Sequence, residues 1–120
     1  MYENSLENLK IVDENEALDL VAGEKDLLKE LLKSFLDDKK FDLEELKFLE
    51  KQNKNQAASY IHYFKGAGSQ LCMKRLSSVG QILEDVLREK KQGDILELNN
   101  LFFQEYKNAI NQAEKLLKEI

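Results

Sequence analysis

His62 is the one histidine of this chain, within the run Ser59-Tyr60-Ile61-His62-Tyr63-Phe64-Lys65-Gly66-Ala67-Gly68-Ser69. On a helix, a lysine three residues on and a glycine four residues on share its face. The set offers a nucleophilic imidazole, a cation in reach of whatever that imidazole carries, and bare backbone beside it. A neutral ring nitrogen can attack phosphorus, and an ammonium can steady phosphoryl oxygens. Acceptance of a phosphoryl group is the chemistry these residue types suit.

The elements that must position them are helical. The chain has 120 residues, with no proline and no tryptophan. Leu, Lys, Glu, Gln and Ala dominate, which favours long helices and no sheet. That length forms one domain, residues 1–120, with a core of its own. The net charge of −5 argues against nucleic acid, whose phosphates require clustered Lys and Arg. A single cysteine, Cys72, excludes an internal disulfide and fits a reducing compartment. No apolar run approaches the roughly 20 residues that span a bilayer. The start, Met1-Tyr2-Glu3-Asn4-Ser5, is unlike a secretory signal. A soluble cytoplasmic protein is expected.

Asp13 and Glu16 resemble a capping box, opening a short helix that runs to about Ala22 and stops at Gly23. Leu27, Leu28, Leu31, Leu32, Phe35 and Leu36 then form an amphipathic stripe. Asp37-Asp38-Lys39-Lys40 interrupts it before it resumes at Phe41, Leu43, Leu46 and Leu49. A kinked helix or two abutting ones are predicted. After the polar connection Lys51–Asn55, the histidine segment sets Ala57, Ile61, Phe64, Gly68 and Leu71 on one face. The next helix carries Leu76, Val79, Leu83, Val86 and Leu87 and is expected to end near Gly93. Asp94 with Glu97 caps a last helix reaching Ile120. The expected fold is all-α: an antiparallel up-down four-helix bundle with a short extra N-terminal helix.

On the wheel of the histidine helix, His62 lies roughly 140° from the core direction, Ser69 roughly 120°, and Gly66 nearly opposite the core. Lys65 flanks the stripe, where its stem can run along the surface and its amine turn outward. A buried structural histidine fits this phase poorly, while a plain solvated histidine fits it as well as a reactive one does. Further features favour the reactive reading. Gly66, Gly68 and Gly80 each weaken a helix, which marks close approach of a backbone or partner. The following helix also presents a polar stripe, Ser77, Gln81, Glu84 and Arg88. An antiparallel neighbour brings one of these level with His62. A carboxylate there would accept from Nδ1–H and leave Nε2 as the nucleophile.

His62-Tyr63-Phe64-Lys65-Gly66, followed by Leu76 and Leu83-Glu84, closely resembles the histidine-containing phosphotransfer (HPt) domain family. The likeness also takes in Val12-Asp13-Glu14, Leu31–Leu36 and the stretch from Ala57 to Gly66. It implies that His62 is phosphorylated, that Lys65 assists, that Gly66 keeps the face open and that Glu84 hydrogen-bonds the imidazole. Ser69, Gly80, Gln81 and Tyr63 are the further candidates for the binding surface. The family resemblance implies a phosphocarrier that is not itself a kinase. Its partners would be response-regulator receiver domains and a hybrid sensor histidine kinase, with magnesium brought by the receiver. Ile11, Leu18 and Val21 on the first helix are docking candidates by the same resemblance, although packing onto the bundle explains each as well. A monomer is expected, since one complete bundle needs no second chain.

Three positions depart from the family pattern: Cys72 stands where glycine is usual, Tyr63 where a small or polar residue is usual, and Phe64 where leucine is frequent. Cys72 puts the end of the histidine helix in question, and Tyr63 bears on partner docking. Other chemistries are weaker. Gly66-Ala67-Gly68 lies inside a helical pattern and follows no strand, so it is no nucleotide loop. His62 and Cys72 are too few for zinc and about 15 Å apart along a helix, too far to form a nucleophilic pair. Asp37 and Asp38 read as a solvated helix end. A helical interaction module that keeps the fold without the relay is the alternative function.

Overall fold

Capping side chains set where most of the helices begin. Asp13, Asp42, Asn53 and Asp94 each accept hydrogen bonds from backbone N–H groups of the turn they precede. The computed structural model describes residues 6–120. Met1–Ser5, on which the reading of no secretory signal rests, lies outside them, as do the first five residues of the expected domain. The helices are α1 (Glu14–Leu20), α2 (Lys25–Asp37), α3 (Leu43–Gln52), α4 (Lys54–Gln70), α5 (Lys74–Leu87) and α6 (Ile95–Glu119). No strand occurs among the described residues.

α4, α5 and α6 pack in succession, while α2 lies on α6 and α3 on α4, so the broken α2–α3 rod forms the fourth member of the bundle. Short connections between packed neighbours make the arrangement antiparallel. The body measures 42 × 28 × 20 Å. The charged interruption separates two helices rather than kinking one, and Phe41 in the gap explains why. Its side chain is buried, with ring centroids 5.0 Å from Phe102, 5.5 Å from Phe64 and 5.7 Å from Tyr106. Asp42 then restarts the helix, and its own N–H donates to Tyr60 Oη at 3.0 Å. The polar connection Lys51–Asn55 shrinks to Asn53 alone, which ends α3 and caps α4.

Three helices end on a left-handed residue that is not glycine: Ala22 (φ 54°), Cys72 (φ 57°) and Glu89 (φ 63°). Each carries the paired backbone bonds of a Schellman turn. After α4, Met73 N–H donates to Gly68 O and Cys72 N–H to Ser69 O. After α5, Lys90 N–H donates to Asp85 O and Glu89 N–H to Val86 O. α5 therefore stops at Leu87, short of Gly93, because Glu89 already supplies the reversal. α1 likewise stops at Leu20 rather than Ala22. Cys72 takes the conformation that favours glycine, so the turn form survives the substitution and the thiol is buried within it.

α1 and the segment before it close one end of the bundle. Asp13 N–H donates to Cys72 O at 2.9 Å, and Arg75 Nε to Leu9 O at 2.8 Å. Val21 is buried, and Ile11 and Leu18 pack partly buried against the core. Ordinary packing accounts for these three docking candidates. Leu27, expected in the core stripe of α2, is exposed, whereas Leu28, Leu32 and Phe35 face inward.

The glycines of α4 and α5 differ in what surrounds them. A Cβ at Gly80 would lie 2.9 Å from Lys65 Cβ and 3.1 Å from Phe102 Cε1, whereas one at Gly66 would meet nothing within 4 Å. Gly80→Ala should therefore destabilise the protein by about 1–3 kcal/mol through overpacking. Gly66→Ala should stabilise it by about 0.5–1 kcal/mol through helix propensity alone. Urea denaturation of both variants checks the opposite signs.

Candidate functional site

α4 turns Ile61, Phe64 and Gly68 into the core, and the same phase carries His62 outward, with 62% of its side chain exposed. α5 runs beside it with Val79, Leu83 and Leu87 inward, which leaves Glu84 at the α4–α5 seam with only 10% of its side chain exposed. The imidazole Nδ1 lies 3.1 Å from Glu84 Oε1 and 3.2 Å from Oε2. Lys65 Nζ donates to Glu84 Oε1 at 2.8 Å and to Gln81 Oε1 at 3.0 Å. Arg88 Nε donates to Glu84 Oε2 at 3.2 Å. One carboxylate thus receives donors from both helices.

Burial disfavours a charge on Glu84, but the bonds from Lys65, His62 and Arg88 outweigh it and hold the carboxyl at about 2. It is ionised at neutral pH, and an ionised carboxylate only accepts. The bonded hydrogen is therefore on Nδ1, and a neutral ring keeps its lone pair on Nε2, away from the carboxylate.

The other candidates divide. Gln81 joins the network through Lys65 and also donates to Asp85 at 3.0 Å. Gly66 leaves open space beside His62 on α4. Ser69 is exposed, but its hydroxyl pairs with Ser77 Oγ at 2.9 Å rather than with the histidine network. Gly80, expected on the binding surface, is buried beneath the Lys65 stem and the Phe102 ring, so its role is packing. Lys65 does not turn outward as expected: its side chain is 16% exposed and its ammonium is tied to α5. Tyr63 is exposed but turns toward the α2–α3 gap, where its hydroxyl donates to Asp38 and Lys39 Nζ sits 4.3 Å from its ring centroid. Asp37 and Asp38 form an exposed helix end as expected, and Asp38 with Lys39 additionally makes a cluster with Tyr63 that the sequence reading did not include. No local spacing signals a contact across 25 residues.

Among the described residues no group of three or more His, Cys, Asp or Glu side chains is placed to hold a metal ion. Burial pushes the Cys72 thiol up, with Glu16 adding to the effect. Among the same residues no helix is long and apolar enough to cross a membrane.

The site is thus an exposed imidazole bonded to a nearly buried carboxylate on the adjoining helix of an all-α bundle. A family model described as Hpt domain matches residues 30–116, which span the whole site, and the chain belongs to that family. Hpt domains carry phosphoryl groups in phosphorelays and work with receiver domains and histidine kinases. No curated protein and no solved structure matches significantly.

The lowered carboxyl makes a prediction about pH. Its contribution to stability is present above the ordinary value of 4.5 and is lost as the pH falls through about 2. Glu84→Gln should cost roughly 3 kcal/mol at neutral pH. The gap to the parent protein should close as the pH drops from 4.5 toward 2. Urea unfolding of both proteins across this range measures it.

Proposed function

We propose that this protein is an intermediate of a multistep two-component phosphorelay. It takes a phosphoryl group on His62 from the aspartyl phosphate of one receiver domain and passes it reversibly to another. The observation that carries this reading is the bond between Glu84 and Nδ1 of an exposed imidazole, which leaves Nε2 as the nucleophile.

In the forward step the Nε2 lone pair forms a bond to phosphorus as the phosphorus–oxygen bond to the aspartyl carboxylate breaks. The electron pair of that bond leaves on the aspartate. Such transfers pass through a loose, metaphosphate-like state, so placement and charge compensation supply most of the rate. Positive charge grows on the ring as Nε2 is used, and the Glu84 carboxylate faces that charge through Nδ1–H. Lys65 has three N–H donors, two of which serve Glu84 and Gln81. The third is available to a phosphoryl oxygen. Gly66 leaves the approach unobstructed. Magnesium is held by the acidic site of the receiver, and a hybrid sensor kinase is the upstream source. This chain acts as a monomeric cytoplasmic carrier without kinase activity of its own.

His62→Gln should abolish acceptance of phosphate from a phosphorylated receiver while the circular dichroism spectrum stays that of a helical bundle. The parent protein should acquire an acid-labile, base-stable label. An undiminished label on the variant would place the acceptor elsewhere. Lys65→Ala should slow transfer by about 10- to 100-fold, the worth of one charged hydrogen bond. A rate equal to that of the parent in rapid-quench assays would remove the lysine from the reaction.

A further inference from the structure

A second polar pair lies outside the histidine network, where α3 meets α6. Glu50 stands in the last turns of α3 and Asn99 near the start of α6, with Asn99 2% exposed. Asn99 Nδ2 donates to Glu50 Oε1 at 2.8 Å. The other half of each group, Glu50 Oε2 and Asn99 Oδ1, is buried without a hydrogen-bond partner. If Glu50 were ionised, both would be acceptors shut away from water with no donor, an arrangement that costs free energy at each atom. A carboxylic acid and a primary amide are planar groups of matching shape. Once one N–H···O bond joins them, a single proton on the free carboxyl oxygen supplies the missing donor.

We infer that Glu50 is held as a neutral carboxylic acid whose Oε2–H donates to Asn99 Oδ1, closing a two-bond acid–amide clasp between α3 and α6. The charged groups around it compete. Lys47 on α3 and Lys54 on α4 favour the ionised form. Glu44 and Lys51 line the same hollow, where Glu44 holds the Lys47 ammonium at 3.9 Å. From α6 the lining comes from Ile95, Leu96 and Asn99, none of them charged. Burial is the largest influence and pushes the Glu50 carboxyl up, against the bond from Asn99 and the two lysines.

The clasp forms part of the wall of an open hollow of about 560 Å³ in which the exposed side chains of Phe48 and Leu96 also stand. Loss of the proton leaves Oε2 and Oδ1 as buried acceptors again and loosens the seam at that point. This end of the bundle is therefore sensitive to protons. The sign follows from the raised carboxyl: the stabilisation is complete below the ordinary value of 4.5 and is lost as the pH rises through Glu50's higher value.

Glu50→Gln tests this directly, because an amide supplies both a donor and an acceptor to Asn99 at every pH. The variant should melt about 4 °C above the parent protein at pH 8. The two should converge by pH 4. In parallel, the side-chain carboxyl carbon of Glu50 in the parent protein, followed by NMR, should titrate above the range of ordinary glutamates. Titration at or below that range overturns the inference, as does a Glu50→Gln variant that melts no higher than the parent at pH 8.

Discussion

A single ionised carboxylate, that of Glu84, supports the rest of the site. It accepts from His62 Nδ1 and Lys65 Nζ on α4 and from Arg88 Nε at the C-terminal cap of its own helix. In water such pairs contribute little, but at a seam where the carboxylate is nearly buried each is worth more and an unpaired member costs more. The network therefore sets the imidazole tautomer and helps hold α4 to α5 at once. Removing the carboxylate would release the ring and Arg88, leave Lys65 with Gln81 alone, and weaken the seam.

The core exists to hold that seam in register. Gly80 lets both the Lys65 stem and the Phe102 ring close on the α5 backbone, and the Lys65 ammonium reaches Glu84. Gly68 lets Leu76 close the far end of the same helix pair: a Cβ there would lie 2.9 Å from Leu76 Cδ2. Phe41 fills the aromatic centre from the gap between α2 and α3, so the break in the rod is itself part of the core. Gly66 has no such packing partner among the described residues. Its cost to helix stability has no internal return, which agrees with a surface kept bare for something that docks.

Much of this was legible in the residues. Periodicity places His62 outward because Ile61 and Phe64 must face in, and Asp13 and Asp94 declare helix starts by chemistry that acts over three residues, whereas the caps at Asp42 and Asn53 emerged only with the structure. The polar stripe of α5 was visible, but which of its members meets His62 depends on the register between two helices, and local spacing does not encode register. The helix ends were less readable. Ala22, Cys72 and Glu89 adopt left-handed conformations usually given to glycine, so a search for glycine moves the end of α5 to Gly93. Lys65 was expected outward because its wheel position allows a long side chain to turn either way. The choice was made by Glu84, a residue 19 positions distant. Tyr63 with Asp38, and Glu50 with Asn99, are tertiary pairs with no local signature.

Everything at the site turns on the tautomer that Glu84 imposes on the imidazole. Nitrogen-15 NMR of the ring in the unphosphorylated parent protein, under conditions where the imidazole is neutral, measures this without a partner. A protonated Nδ1 and a bare Nε2 are expected. A ring that carries its proton on Nε2, the form that free histidine prefers, would contradict this assignment.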